Sequence, residues 1–120
     1  MAQIGTAFKV AGIGCHLWVV ISEPDSEGMV VCVNLTDSNN YPDSSCHLKV
    51  GDHAFITKPS AIMYKKARMW KDADIDDRLV SGKIIQHEDF RPDIIKLVID
   101  GALRSDDLPP FLHAQIKPLS

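Results

Sequence analysis

The chain has 120 residues, 45% of them hydrophobic, with 13 Lys and Arg against 16 Asp and Glu for a net charge of −3. That is enough apolar material for one domain with one core, and no apolar run is long enough to cross a bilayer. The slightly acidic balance excludes a protein held on nucleic acid by its overall charge, so any such partner must meet a local basic patch.

The N-terminal residues lack the basic start and long apolar region of a signal peptide, and cytoplasmic residence is expected. Four short β segments are predicted between His16 and Thr57. Segments 16–22 and 29–36 are rich in β-branched and aromatic residues, and the connection 23–28 holds Pro24, Asp25, Ser26 and Gly28, which favour a reversal. Segments 46–50 and 53–57 form a second unit around the Gly51-Asp52 turn. The polar stretch 37–45 is too long for a tight hairpin and reads as a loop. Residues 60–70 fit two patterns. Ile62, Met63, Ala67 and Trp70 make a helical stripe that Ser60 would cap, while Ile62, Tyr64 and then Ala67, Met69 alternate as in a strand broken by a bulge.

Another short strand is predicted over 83–87, after the Ser81-Gly82 turn. A helix follows over 91–103, with Pro92 in its first turn and Ile95, Val98, Ile99, Ala102 and Leu103 on one face. Residues 105–110 end that helix, and the last ten residues are expected as an irregular tail docked through Phe111 and Leu112. The fold class is therefore α+β, mainly β: one domain, with a small β-barrel over about 6–88, a helix over about 91–104 and a tail over 105–120.

Three cysteines do not make a disulfide framework, and Cys32 reads as a small core residue. Cys15-His16 and Cys46-His47 contain zinc-type ligands, but adjacent strand residues point to opposite faces. The most coherent set, His16, Cys46 and His53, lacks a fourth ligand, and no metal or other cofactor is expected. His16, His47 and His53 can lie near one end of the barrel, where a histidine of ordinary pKa can move protons in phosphodiester cleavage; the plainer reading is three strand residues with local hydrogen bonds. Lys58, Lys65, Lys66, Arg68 and Lys71 occur with Tyr64 and Trp70 among them and no acid, the composition of an edge that contacts RNA. Asp72, Asp74, Asp76 and Asp77 follow at once, and internal pairing with them is the competing account. No Gly-x-Ser-x-Gly or Gly-rich phosphate loop is present.

Several of these features together resemble the plasmid-maintenance toxin superfamily of MazF, PemK and Kid. They are the strand 17–22, the strand ending Asn34-Leu35-Thr36, the run Lys58-Pro59-Ser60-Ala61-Ile62, the segment Lys66-Ala67-Arg68-Met69-Trp70, a hinge near Gly82 and the closing helix. The resemblance covers roughly residues 14–104. It implies an SH3-like barrel, a strand rather than a helix over 60–70, a homodimer, and metal-independent cleavage of single-stranded RNA checked by a cognate antitoxin. The family's threonine maps onto Thr36. Ribonuclease members carry Arg-Pro before the first core strand, where this chain has Cys15-His16, and no basic residue occurs between Lys9 and Lys49. The expected catalytic residues are then His16, Thr36 and His53, with Lys58, Tyr64, Lys65, Lys66 and Arg68 on the RNA. The alternative is a non-catalytic small-barrel module that binds a protein or small ligand at the same edge.

Overall fold

The computed structural model describes residues 2–10, 16–40 and 45–119, apart from the side chain of Asn40. Its six strands are β1 (Ala7–Val10), β2 (Leu17–Val20), β3 (Met29–Asp37), β4 (His47–Leu48), β5 (Ser60–Lys71) and β6 (Ile84–His87). They form one antiparallel sheet in the order β4-β5-β3-β2-β1-β6. Two helices, α1 (Asp72–Ser81) and α2 (Pro92–Arg104), and 3-10 turns at Ser38–Asn40 and Pro110–Gln115 complete it. The architecture is mixed α+β and mainly β. No helix among the described residues is long and apolar enough to cross a membrane.

The sheet is covered on both faces, which is why β2 and β3 read as unbroken apolar runs. Successive side chains of a strand point to opposite faces, and here each face has its own core. Leu17, Val19, Val31, Val33 and Tyr64 pack with Ile95, Val98 and Ile99 of α2 in one. Phe8, Trp18, Val20, Val30 and Cys32 pack with Ile75 of α1 in the other.

The two readings of residues 60–70 have one explanation. β5 is a strand, but its pairing with β3 comes in two blocks, Met29 to Cys32 against Lys71 to Arg68 and Asn34 to Asp37 against Met63 to Ser60. Between the blocks, the four residues 64–67 of β5 lie opposite the single residue Val33. This wide bulge breaks the two-residue alternation. It buries Tyr64 and Ala67 and leaves Lys65 and Lys66 exposed, a spacing that imitates a helix.

Three expectations need correction, and one helix was not foreseen. Residues 53–57 are turns, not a strand, and of 46–50 only His47–Leu48 pairs. The acids from Asp72 to Asp77 lie in α1, which composition concealed. Acids in a first helical turn suit the helix dipole, and buried Asp72 also accepts a hydrogen bond from the Ala2 amide at 3.0 Å. The tail docks through Leu108, Leu112 and Ile116, while Phe111 is 74% exposed.

The outermost strands, β4 and β6, do not pair with each other. The turns after β4 bridge this seam to the segment after β6. His53 Nε2 donates to the Glu88 carbonyl at 2.7 Å, and the Ala54 amide donates to Glu88 Oε1 at 3.0 Å. The His53 ring stacks on Phe90 with centroids 4.4 Å apart, and Arg91 donates to the Gly51 carbonyl at 3.2 Å. Side-chain contacts thus tie together edges that no ladder joins.

Candidate active site

At the far end of β3 a cleft of about 250 Å³ is lined by His16, Thr36, Asp37, Phe55, Lys58 and Ser60, among others. The structure thereby brings together three residues singled out from sequence: His16, Thr36 and Lys58. His16 is exposed, and its Nδ1 lies 2.8 Å from the Leu35 carbonyl oxygen. A carbonyl only accepts, so Nδ1 carries the hydrogen, and in the neutral ring Nε2 is left as the acceptor. A backbone atom of β3 thus sets the tautomer of the one histidine in the cleft.

Lys58 Nζ pairs with Asp37 Oδ2 at 2.8 Å. The Lys58 hydrogen bond, followed by one from the Asn39 backbone amide, holds the Asp37 carboxyl below the usual carboxylate range. The pair is solvent-exposed and adds little to stability; its effect is to fix where the ammonium sits. Ser60 Oγ donates to the Lys58 carbonyl at 3.0 Å, and the Ser38 amide donates to the Pro59 carbonyl at 3.2 Å, which holds the turn leading into β5.

Phe55 is an aromatic lining residue that sequence reasoning passed over. It is half-buried, with the Lys9 ammonium 5.7 Å from its ring centroid and the His87 ring edge-on at 5.4 Å. Its place depends on β1 and β6 approaching the turns after β4, a long-range arrangement with no local signal. Lys9 and Phe55 set a cation and an aromatic face side by side.

Five expected site residues lie elsewhere. His53 is 4% exposed, donates through Nε2 to Glu88 and accepts at Nδ1 from the Phe55 amide at 3.0 Å. With both nitrogens engaged, it is part of the seam rather than a proton carrier. Tyr64 is fully buried, and its hydroxyl donates to the Val98 carbonyl of α2 at 2.7 Å, so no base can stack on it. Lys65, Lys66 and Arg68 are exposed but do not line the cleft; Arg68 sits over the Trp18 indole, 5.4 Å from its centroid.

Cys32 and Cys46 are buried, and burial pushes the Cys32 thiol up to about 12, which makes it unreactive. Cys15 lies outside the described residues. Among those described, no three His, Cys, Asp or Glu side chains converge as a metal site would need. Against models of known families, curated proteins and solved structures, the chain finds no match.

Proposed function

We propose that the His16–Thr36–Lys58 cleft is the reaction centre of a metal-independent endoribonuclease acting on single-stranded RNA. The observation that carries this reading is the convergence of an exposed histidine of defined tautomer, a hydroxyl and an ammonium in one cleft. His16 Nε2 accepts the proton of a ribose 2′-OH as that oxygen attacks the adjacent phosphorus. The P–O5′ bond breaks, the 5′ oxygen takes a proton from the Lys58 ammonium, and the products are a 2′,3′-cyclic phosphate and a 5′-hydroxyl. Thr36 donates a hydrogen bond to a phosphoryl oxygen, and Lys58 offsets the charge that develops there. Phe55 offers a neighbouring base an apolar face.

The two-sided sheet with edges bridged at a seam is compatible with the SH3-like barrel of the MazF, PemK and Kid toxins. On that reading the protein is the toxin of a toxin–antitoxin module, a homodimer neutralised by an antitoxin that covers the cleft. One observation favours the other reading, a non-catalytic module that grips a protein or small ligand. The Lys58 charge is already balanced by Asp37, with no arginine among the described residues lining the cleft.

Incubation with long single-stranded RNA in chelator, with mapping of new 5′ ends, separates the two. Wild type is expected to cut at a recurring short sequence. His16→Ala should slow cutting by about 10²–10⁴-fold, the usual contribution of a general base, and Thr36→Ala should slow it less. Intact RNA from folded wild-type protein would sink the catalytic reading in favour of a binding module, whose partner a pull-down would identify.

A further inference from the structure

A second cleft, of about 470 Å³, lies where the end of β5 meets α1. Its volume is within the range of small-molecule sites. Arg68, Lys71 and Arg78 line it against a single carboxylate, Asp74, and Trp70 and Met29 supply apolar wall. Arg68 and Trp70 are two residues apart on β5 and share a face. Asp74 and Arg78 are four apart on α1, a spacing at which opposite charges commonly pair.

Here they do not pair. Among the described residues, the side chains of Asp74, Arg68, Lys71 and Arg78 enter no ion pair, unlike those of Lys58 with Asp37, Arg91 with Asp93 and Lys96 with Asp100. Three cations thus face one carboxylate, and the cleft keeps an excess of positive charge. The aromatic part is held in place, with Trp70 packed 5.0 Å from Phe8 and 5.6 Å from Trp18 between ring centroids. Arg68 is held over Trp18. The plainer account of Arg78, a cation in the last turn of a helix whose dipole favours it, does not explain why Arg68 and Lys71 face the same space.

We propose that this cleft binds a nucleoside phosphate. The guanidinium forks of Arg68 and Arg78 and the Lys71 ammonium match a phosphate group. Trp70 offers an indole to the base, and Asp74 accepts from sugar hydroxyls or a base amino group. The same chemistry is presented by a free nucleotide or by one unit of a single strand. The assignment stands apart from cleavage at His16.

Calorimetric titration of the full chain tests it, with nucleoside 5′-monophosphates, a dinucleotide and inorganic phosphate as probes. The monophosphates should bind saturably and about tenfold or more tightly than phosphate, and Arg78→Glu, an exposed position on α1, should abolish binding. Arg78→Lys should keep part of it, because the charge survives but the fork does not. A dinucleotide that binds about tenfold more tightly than the monophosphates would mark the ligand as a unit of a strand; equal affinity would mark it as free nucleotide. The proposal is overturned by an absence of saturable nucleotide binding, by binding unchanged in Arg78→Glu, or by phosphate alone binding as well as the nucleotides.

Discussion

Gly101 sits on the buried face of α2, where the helix meets β4 and β5. A Cβ there would come within 2.8 Å of both Cys46 Cβ and the Ser45 carbonyl oxygen, and would also strike the Tyr64 hydroxyl. Two of these neighbours are backbone-fixed, so Gly101→Ala must push α2 away from the sheet. Overpacking of this kind costs about 1–3 kcal/mol, expected as a lower urea midpoint. Tyr64→Phe should cost about 1 kcal/mol, the net worth of one buried hydrogen bond. The double variant should stay well below Tyr64→Phe in stability, since the Cys46 and Ser45 contacts persist; recovery to its level would show that the hydroxyl alone sets the limit. Tyr64 also shows why part of the site was misread from sequence. A tyrosine among lysines has the composition of a stacking platform, and nothing within a few residues signals that a bulge in β5 turns it into the core. The placement of His16 and Thr36 at strand ends was legible because His16 adjoins β2 and Thr36 lies near the end of β3, and both strands carry local, contiguous apolar runs.

At the level of elements, what was legible follows how local the signal is. β2 and β3 carry contiguous apolar runs and α2 its helical periodicity, and all three appear close to where those signals place them. α1 carries only Ile75 and, half-buried, Leu79 as its inward spacing, diluted by four aspartates, and so reads only as acids that could pair with the basic stretch before them. Residues 53–57 contain Phe55, Ile56 and Thr57, good strand formers, yet their backbone is spent on turns that cross the seam. Strand propensity reports fit to a pleated surface, and no strand pairs with these residues. The dependence of the second core on α1 is testable. Ile75 is fully buried among Phe8, Trp18 and Val30, so Ile75→Ala should cost about 2–5 kcal/mol. Val80, on the same helix but 90% exposed, should change stability by less than about 0.5 kcal/mol when replaced by Ala. Equal losses at the two positions would mean that α1 does not seat on the sheet through Ile75.

For the molecule as a whole, the seam between β4 and β6 is the place where pH can reach the fold. His87, at the end of β6, packs against Phe55, and its pKa is lowered from the ordinary 6.5, first by desolvation, then by the positive charge of Lys9 and by His53. A folded histidine that binds its proton less readily than the unfolded chain makes unfolding take up a proton in acid. Stability from this group is thus complete above 6.5 and declines as pH falls through that value towards the lower, folded one. Asp37 acts in a separate window. Its carboxyl is held below 3.8, so its contribution is complete above that value and disappears only as pH falls further. Urea unfolding between neutral pH and about pH 5 therefore keeps Asp37 out of the window, and comparison with variants isolates His87 from the other histidines. Wild type should lose stability across this interval, and His87→Gln, which cannot take the proton, should lose less. Lys9→Gln should also flatten the slope, because it removes a charge that opposes protonation, and it should do so without touching a β6 side chain. Identical slopes for all three proteins would show that the seam is insensitive to the His87 proton. A slope flattened by His87→Gln alone would leave desolvation and His53 as the causes and remove Lys9 from the account.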